Sequence, residues 1–69
     1  MVKNIIKELR NEFGITQSQF AKDLQITRQT VIAIENGKYN PSLELSLKIS
    51  RYFGRRIEDI FELVEGIKE

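Results

Sequence analysis

A group of side chains between residues 28 and 36 combines the chemical groups that read the edges of DNA base pairs. On a helix with about 100° per residue, these side chains fall within about 140° of one another, and Val31 and Ile34 fall on the opposite side. The group consists of Arg28, Gln29, Ile32, Ala33 and Asn36. A guanidinium suits guanine, an amide suits adenine, and an apolar group suits the thymine methyl. The group has no carboxylate and therefore predicts a helix that enters the major groove; a plain surface helix with one exposed isoleucine is the alternative.

Residues 16–37 predict the two short helices that must position this face, joined by a tight turn as a helix-turn-helix. Thr16 is expected to cap the first helix, and Gln19, three residues later, to complete a capping box. Thr27 is expected to cap the second helix, and Gly37 stands where a left-handed residue ends a helix. The apolar stripe of the first helix consists of Phe20, Ala21 and Leu24.

Over residues 5–61 the chain resembles the Cro-repressor (XRE) family of small helix-turn-helix regulators. The residues that carry the resemblance are Ile15, Thr16 and Gln17; Phe20 and Ala21; Leu24; Thr27, Arg28, Gln29, Thr30 and Val31; Ile34, Glu35, Asn36 and Gly37; and Asn40, Pro41 and Ser42. The chain departs from the family at Gln25, because the family often has glycine in this turn, where a left-handed residue is wanted. Gln25 therefore predicts mild strain or a slightly different turn.

The hydrophobic pattern predicts five helices, near residues 3–13, 17–24, 28–36, 42–53 and 57–61. The stripe of the first helix consists of Val2, Ile5, Ile6, Leu9 and Phe13. Apolar residues surround most of the fourth helix, which predicts burial on several sides, as the hub of the core or at both the core and a dimer interface. The resemblance implies an all-α, five-helix, lambda-repressor-like DNA-binding domain that spans residues 1–69.

The family resemblance also implies a set of contacts with DNA. The side chains expected to face base edges are Arg28, Gln29, Ile32 and Ala33. Those expected to contact the DNA backbone are Gln17, Thr27, Asn36, Lys38, Tyr39 and Asn40, and backbone amides at the start of the first motif helix can also meet a phosphate. The resemblance further implies an ion pair between Arg10 and Glu35, for which two independent surface charges are the alternative.

The net charge of +1 conceals an uneven distribution along the chain. Residues 14–56 have seven basic and three acidic side chains, a balance of +4, whereas residues 57–69 have one basic and five acidic side chains, a balance of −4. Because carboxylates repel phosphates, we expect the acidic end to point away from DNA. A chance distribution in a short chain is the alternative.

Composition excludes several classes of protein. The chain has no cysteine and no histidine, which excludes disulfide scaffolds, Cys/His zinc sites and His-dependent nucleophilic catalysis. Its carboxylates form no catalytic cluster, so we expect no enzyme, no metal and no cofactor. The longest apolar run, residues 31–34, is too short to span a membrane, and the start does not resemble a signal peptide. A cytoplasmic protein is the default expectation.

The C-terminal part of the chain predicts a short helix with a missing cap. Arg55 and Arg56 stand where the family often has a Ser or Thr cap, and Glu58 and Asp59 offset that loss through the helix dipole. The segment 61–65 is expected to pair as a strand with residues 1–3, to pair with its copy in a second subunit, or to fray.

A chain of 69 residues forms one small domain that gains stability by dimerising. We expect a dimerisation region at about residues 52–69, with an interface that includes Tyr52, Ile57, Phe61, Leu63 and Val64. The sequence thus predicts a homodimeric regulator that binds specific double-stranded DNA, most often a repressor in this family, at a palindromic operator. The alternative is an antitoxin-like module that neutralises a partner protein, with anchors at Ile32, Tyr52, Phe61, Leu63 and Val64.

Overall fold

The computed structural model describes residues 1–65 and contains five helices and a two-stranded sheet within that range. The elements in chain order are β1 (Val2–Asn4), α1 (Ile6–Phe13), α2 (Gln17–Leu24), α3 (Arg28–Glu35), α4 (Leu43–Phe53), α5 (Ile57–Ile60) and β2 (Phe61–Leu63). The five-helix prediction is confirmed, and α2 and α3 form the helix-turn-helix. No helix in this range is long and apolar enough to cross a membrane.

The chain begins with a strand, so the prediction that the first helix starts near residue 3 is wrong. Strand β1 pairs with β2 in antiparallel register, with Lys3 opposite Glu62. Helix α1 starts only at Ile6, whose backbone N–H donates to Asn4 Oδ1 at 3.1 Å. Val2 fits the helical period, but its backbone is in the strand because a partner strand lies some 60 positions along the chain. The predicted pairing of the C-terminal segment with the N terminus is confirmed.

The core draws buried residues from every helix. The buried apolar residues are Ile6, Leu9, Phe20, Ala21, Leu24, Val31, Ile34, Ile49, Phe53 and Ile60. Two members of the predicted first stripe, Ile5 and Phe13, are instead 40% and 47% exposed. Ile5 precedes the observed α1 and Phe13 is its last residue, so Ile6 and Leu9 are its fully buried apolar residues. The ring of Phe20 stacks on that of Phe53 at 5.3 Å between centroids, which packs α2 against α4.

Within a single chain, helix α4 is buried along one side only, so the expectation that it is the hub of the core, buried on several sides, is wrong. Burial of its other side at a dimer interface stays a prediction. Ile49 and Phe53 are buried, whereas Leu43 and Leu47 are 73% and 51% exposed. The two leucines are four residues apart and therefore lie on the same side of the helix. The domain core alone does not need them.

Side-chain caps define where the motif helices begin. Thr16 Oγ1 accepts from the Gln19 backbone N–H at 3.0 Å, and Thr27 Oγ1 accepts from the Thr30 backbone N–H at 3.1 Å. The second half of the predicted capping box is wrong, because the Gln19 side chain donates to the Asp23 carboxylate at 2.7 Å, a charged acceptor one turn later.

The turn between α2 and α3 places Gln25 in the left-handed region, at φ 61° and ψ 42°. Among residues 1–65 it is the only non-glycine residue with a positive φ. The chain therefore makes the turn that a glycine would make more readily, and Gln25 is strained as predicted.

Candidate nucleic-acid interface

Helix α3 presents one side to solvent and packs the other into the core. Val31 and Ile34 are 1% and 2% exposed, and they fix the helix against α2 and the rest of the domain. On the outer side Arg28 and Gln29 are exposed. Ile32 and Ala33, also predicted to contact bases, are partly buried. The structure thus brings the four predicted base-reading residues onto one accessible surface, with the two polar ones at its N-terminal end.

Beneath this surface lies the Arg10–Glu35 ion pair, whose two members the structure brings together. Arg10 Nε donates to Glu35 Oε2 at 2.6 Å, and Arg10 Nη2 donates to Glu35 Oε1 at 3.2 Å. Arg10 Nη1 also donates to the Ile15 carbonyl at 2.9 Å. The pair is bidentate and almost fully buried, so each charge depends on the other for its solvation. It connects α1 to the last residue of α3.

Gln17 links that buried pair to the outer surface of α3. Its Nε2 donates to Glu35 Oε1 at 3.1 Å, and its Oε1 accepts from Arg28 Nε at 3.3 Å. The orientation of the Gln17 amide is therefore set by the Glu35 carboxylate on one side and by the Arg28 guanidinium on the other. The two terminal nitrogens of Arg28 make no hydrogen bond to any of residues 1–65, so its fork remains available for guanine O6 and N7.

An open polar cavity of about 370 Å³ lies beside this network. Its lining consists of Arg10, Thr16, Gln17, Ser18 and Arg28. The Arg28 guanidinium and the first backbone amides of α2 make it a suitable place for a phosphate, whereas the charge of Arg10 is already paired with Glu35. Gln17 lies within it, as expected of a backbone contact, although one amide hydrogen is already donated to Glu35.

The other predicted backbone contacts lie at both ends of α3. Thr27 caps the N-terminal end, where its hydroxyl is also 2.9 Å from that of Thr30. At the C-terminal end Gly37 has a φ of 75° and reverses the chain. The side chains on both sides of Gly37 are exposed: Asn36 before it, and Lys38, Tyr39 and Asn40 after it. The predicted phosphate contacts therefore flank the outer surface of α3 at both ends.

Carboxylates concentrate at a different place, beside the sheet. A cavity of about 460 Å³ there is lined in part by Glu58, Asp59 and Glu62, together with Lys3. It shares no lining residue with the polar cavity beside Arg28. Lys68 and Glu69, which also entered the charge count, lie outside the described residues. Within residues 1–65 no group of three or more acidic side chains is placed to hold a metal ion.

The predicted dimer residues differ in how much of their surface is free. Tyr52, Ile57, Phe61 and Val64 are partly buried within the single chain, and Leu63 is 68% exposed. Sequence reasoning missed the exposed pair Leu43 and Leu47 on α4; their spacing of four residues was the available signal. Residues 66–69 of the predicted dimerisation region lie outside the described part of the chain.

Tyr52 also belongs to a hydrogen-bonded pair that joins α4 to α2. Its hydroxyl donates to Asp23 Oδ2 at 2.5 Å. Burial raises the pKa of Tyr52, and the neighbouring carboxylate raises it further, to about 12. The hydrogen bonds from Tyr52 and Gln19 in turn lower the pKa of Asp23.

Comparison with known proteins agrees with this geometry. A family model described as Helix-turn-helix matches residues 6–60. An uncharacterized HTH-type transcriptional regulator of Methanocaldococcus jannaschii is 53% identical over 60 residues, which cover 87% of this chain and 91% of the relative. The HTH-type regulator YgzD of Bacillus subtilis is 50% identical over 64 residues, which cover 93% of this chain and 97% of the relative.

A more distant relative is named for its role as a control protein. Control protein C.MunI of Mycoplasma sp is 36% identical over 63 residues, which cover 90% of this chain and 85% of the relative. The crystal structure described as that of a putative DNA-binding protein from Bacteroides fragilis superposes on this chain with a TM-score of 0.79 at 21% identity. The superposition covers 90% of this chain and all of the other chain. The structural similarity supports the fold, and the sequence similarities extend over the whole motif.

Proposed function

The chain belongs to the XRE-type helix-turn-helix family of DNA-binding transcriptional regulators, and on that basis we propose that it acts as a homodimeric repressor at a palindromic operator. The observation that carries the proposal is the outer surface of α3. There Arg28 and Gln29 are exposed, and Arg28 is held by Gln17, which is itself fixed by the buried Glu35. A base-reading side chain that is already oriented loses less entropy on binding.

In the proposed complex α3 lies in the major groove. The Arg28 fork binds guanine O6 and N7, and Gln29 binds adenine or a second atom of the same base pair. Ile32 and Ala33 contact thymine methyl groups or exclude water beside them. The side chains that hold the DNA backbone are Gln17, Thr27, Asn36, Lys38, Tyr39 and Asn40, which flank α3 at both ends.

The proposal of a dimer rests on apolar residues that one small core leaves exposed. Leu63 on β2 is the most exposed of the predicted set, and Tyr52, Ile57, Phe61 and Val64 are its partly buried neighbours in that set. A two-fold dimer presents two copies of α3 to the same side of DNA, with half-sites about one helical turn, roughly 34 Å, apart. The bound dimer then blocks the polymerase sterically.

Selection of bound duplexes from a random pool tests the proposal directly. We expect a palindromic consensus whose half-sites are spaced by about 10 base pairs, which would establish sequence reading and two-fold symmetry together. A pool that remains random after several rounds would contradict sequence-specific binding. A consensus without a repeat would contradict the dimer.

Sedimentation tests the dimer without DNA. We expect the wild-type chain to sediment as a dimer at high micromolar concentration, and Phe61→Asp to shift it toward a monomer because a carboxylate would be buried at the interface. Phe61 also packs against the core, so Leu63→Asp serves as the second variant, since that side chain is exposed in the monomer. A monomer at this concentration for the wild-type chain would contradict the proposal.

A further inference from the structure

The side chain of Asn4 joins three elements of the fold at one point. Asn4 is the last residue of β1, and its Oδ1 accepts from the Ile6 backbone N–H at 3.1 Å, which starts α1. Its Nδ2 donates to the Ile34 carbonyl at 2.9 Å, in the last turn of α3. Both ends of one amide are therefore used, and Ile34 lies 30 residues from Asn4 along the chain. Asn4 is partly buried, so water competes poorly for either bond.

The acceptor of the second bond, the Ile34 carbonyl, lies in the last turn of α3. The last four carbonyls of a helix have no partner within the helix. The Ile34 carbonyl accepts from the Gly37 backbone N–H at 3.0 Å, and Asn4 supplies a second donor. Lys38 follows directly, with its backbone N–H donating to the Ala33 carbonyl at 2.9 Å. The last turn of α3 is thus held against the sheet.

Several anchors hold α3 at different places along its length. Thr27 caps its first turn, and Val31 and Ile34 fix its inner side. At its last turn the ion pair of Glu35 ties it to α1, and Asn4 ties it to the sheet. Because α3 has only 8 residues, few contacts determine its tilt in the domain. The ion pair of Glu35 with α1 remains when Asn4 is replaced, but the last turn of α3 then loses its bond to the sheet. A small shift at the outer surface of α3 is costly for directional hydrogen bonds.

We propose that Asn4 is a positioning residue for DNA reading, which fixes the C-terminal end of α3 relative to the sheet. The proposal rests on the proposed function of α3 in the major groove. Through the register of the sheet, Asn4 lies opposite Phe61, which belongs to the proposed dimer interface. The same residue therefore connects the orientation of the recognition helix to the element that would set the distance between two such helices.

Two substitutions of Asn4 remove the bond to the Ile34 carbonyl and keep an acceptor for the Ile6 backbone N–H. Asn4→Ser retains an oxygen that can accept from the Ile6 N–H, but it is too short to reach the Ile34 carbonyl. Asn4→Asp retains the accepting oxygen, replaces the donating amide nitrogen with a second oxygen, and adds a negative charge. Ser42→Ala is the matched control, because it removes one comparable bond, from the Leu45 N–H to Ser42 Oγ at 3.1 Å, at the start of α4.

The first measurement is amide hydrogen exchange without DNA. In Asn4→Ser and Asn4→Asp we expect the Gly37 and Lys38 amides to exchange about three- to tenfold faster than in Ser42→Ala, the range that one lost hydrogen bond supports. Equal exchange at these two amides in the Asn4 variants and in Ser42→Ala would contradict the role of Asn4 in holding the last turn of α3.

The second measurement is binding to the duplex selected by the wild-type chain and to a scrambled duplex. Asn4→Ser does not change the charge, so we expect scrambled binding to stay constant and the preference for the selected duplex to fall about three- to tenfold. A preference equal to that of Ser42→Ala would overturn the role of Asn4 in reading. If the wild-type chain itself preferred no duplex, the proposed function would fail, and the role of Asn4 in DNA reading would fail with it. The exchange result would still decide whether Asn4 holds the last turn of α3.

Discussion

Arg10 on α1 and Glu35 at the end of α3 form a buried ion pair, with Arg10 Nε 2.6 Å from Glu35 Oε2. Their side chains are only 7% and 4% exposed. The desolvation of both charges is compensated by the bidentate geometry and by further bonds to the Ile15 carbonyl and the Gln17 amide. Each charge is therefore tolerated inside the domain only because its partner is present.

Removing one member of the pair should strongly destabilise the domain. We expect Arg10→Met or Glu35→Leu to lower the free energy of unfolding by about 3–5 kcal/mol, because the remaining charge stays buried without a partner. The double variant should lose much less than the sum of the two, since two apolar side chains can pack in the same space. Thermal and urea unfolding of the three variants provide the measurement. Additive losses would show that the two residues do not interact.

The strained turn offers a stabilising substitution. We expect Gln25→Gly to raise the free energy of unfolding by about 0.5–1 kcal/mol, because the relief of left-handed strain exceeds the extra entropy of glycine in the unfolded chain. Urea unfolding measures the change. Gln25→Ala is the control, since it shortens the side chain and keeps the strained backbone, so it should bring no gain. A loss of stability in Gln25→Gly would mean that the Gln25 side chain contributes more than its backbone costs.

The missing cap of α5 offers a second stabilising substitution. Arg56 has the extended backbone of a cap, at φ −71° and ψ 156°, but its side chain makes no capping bond. Arg56→Ser should raise the free energy of unfolding by about 1 kcal/mol through a bond to an amide of the first turn. The lost Arg56–Asp59 pair, 3.6 Å apart and exposed, contributes little. Arg56→Ala, which loses the pair and adds no cap, should not stabilise; equal gains in both variants would exclude capping as the cause.

Local signals in the sequence were sufficient for the helices of the motif. Thr16 and Thr27 cap helices in the structure as their residue types predicted, and Gln25 adopts the left-handed turn that the departure from glycine indicated. Each of these features depends on residues within four positions, so the chain reveals them without knowledge of the fold.

Features that depend on distant partners were harder to predict. The helical period that includes Val2 predicts a helix from about residue 3, but pairing with β2, near the other end of the chain, makes residues 2–4 a strand. The bond from Asn4 to the Ile34 carbonyl has no sequence signal, because an asparagine near a chain start is also a common surface residue. One side of α4 is exposed because the core accommodates only some of the apolar residues of this helix. The hydrophobic pattern of the sequence does not specify how many.

The raised pKa of Tyr52 predicts a loss of stability at high pH. An unfolded tyrosine has a pKa of about 10, whereas the folded value is about 12. Between these values the unfolded chain has released the proton and the native chain has kept it, so stability is present below pH 10 and falls as the pH rises through this window. Unfolding at a series of pH values should show this fall in wild type and a smaller one in Tyr52→Phe.

Tyrosinate absorbance tests the pKa itself. Because the chain has two tyrosines, Tyr39→Phe isolates the signal of Tyr52. We expect a midpoint at about 12 in that variant and a lower midpoint when Asp23→Asn is added, since the neutral amide no longer opposes the phenolate. A midpoint at the ordinary tyrosine value would contradict the hydrogen bond to Asp23.

Arg28→Ala should reduce sequence-specific binding. The Arg28 fork is free for guanine, and its Nε is already held by Gln17. We expect a loss of about 1–3 kcal/mol on the selected operator and relaxed specificity at one symmetric position in each half-site. The measurement is binding to operator and scrambled duplex at several salt concentrations. Equal weakening of both duplexes would make Arg28 a phosphate contact and move base reading to Gln29, Ile32 and Ala33.

Lys38→Ala is the matched comparison within the same surface, because it also removes one positive charge. Lys38 lies past the end of α3, next to the reversal at Gly37, where a side chain reaches the DNA backbone more readily than a base. We expect it to weaken operator and scrambled duplex by the same factor and to reduce the magnitude of the salt slope by about one unit per contact. A dimer contains two copies of Lys38, so the contacts of both copies contribute to the salt slope at one operator. If Lys38→Ala instead changed the preferred sequence and left the salt slope unchanged, Lys38 would read bases, and the assignment of the C-terminal end of α3 to the backbone would be wrong.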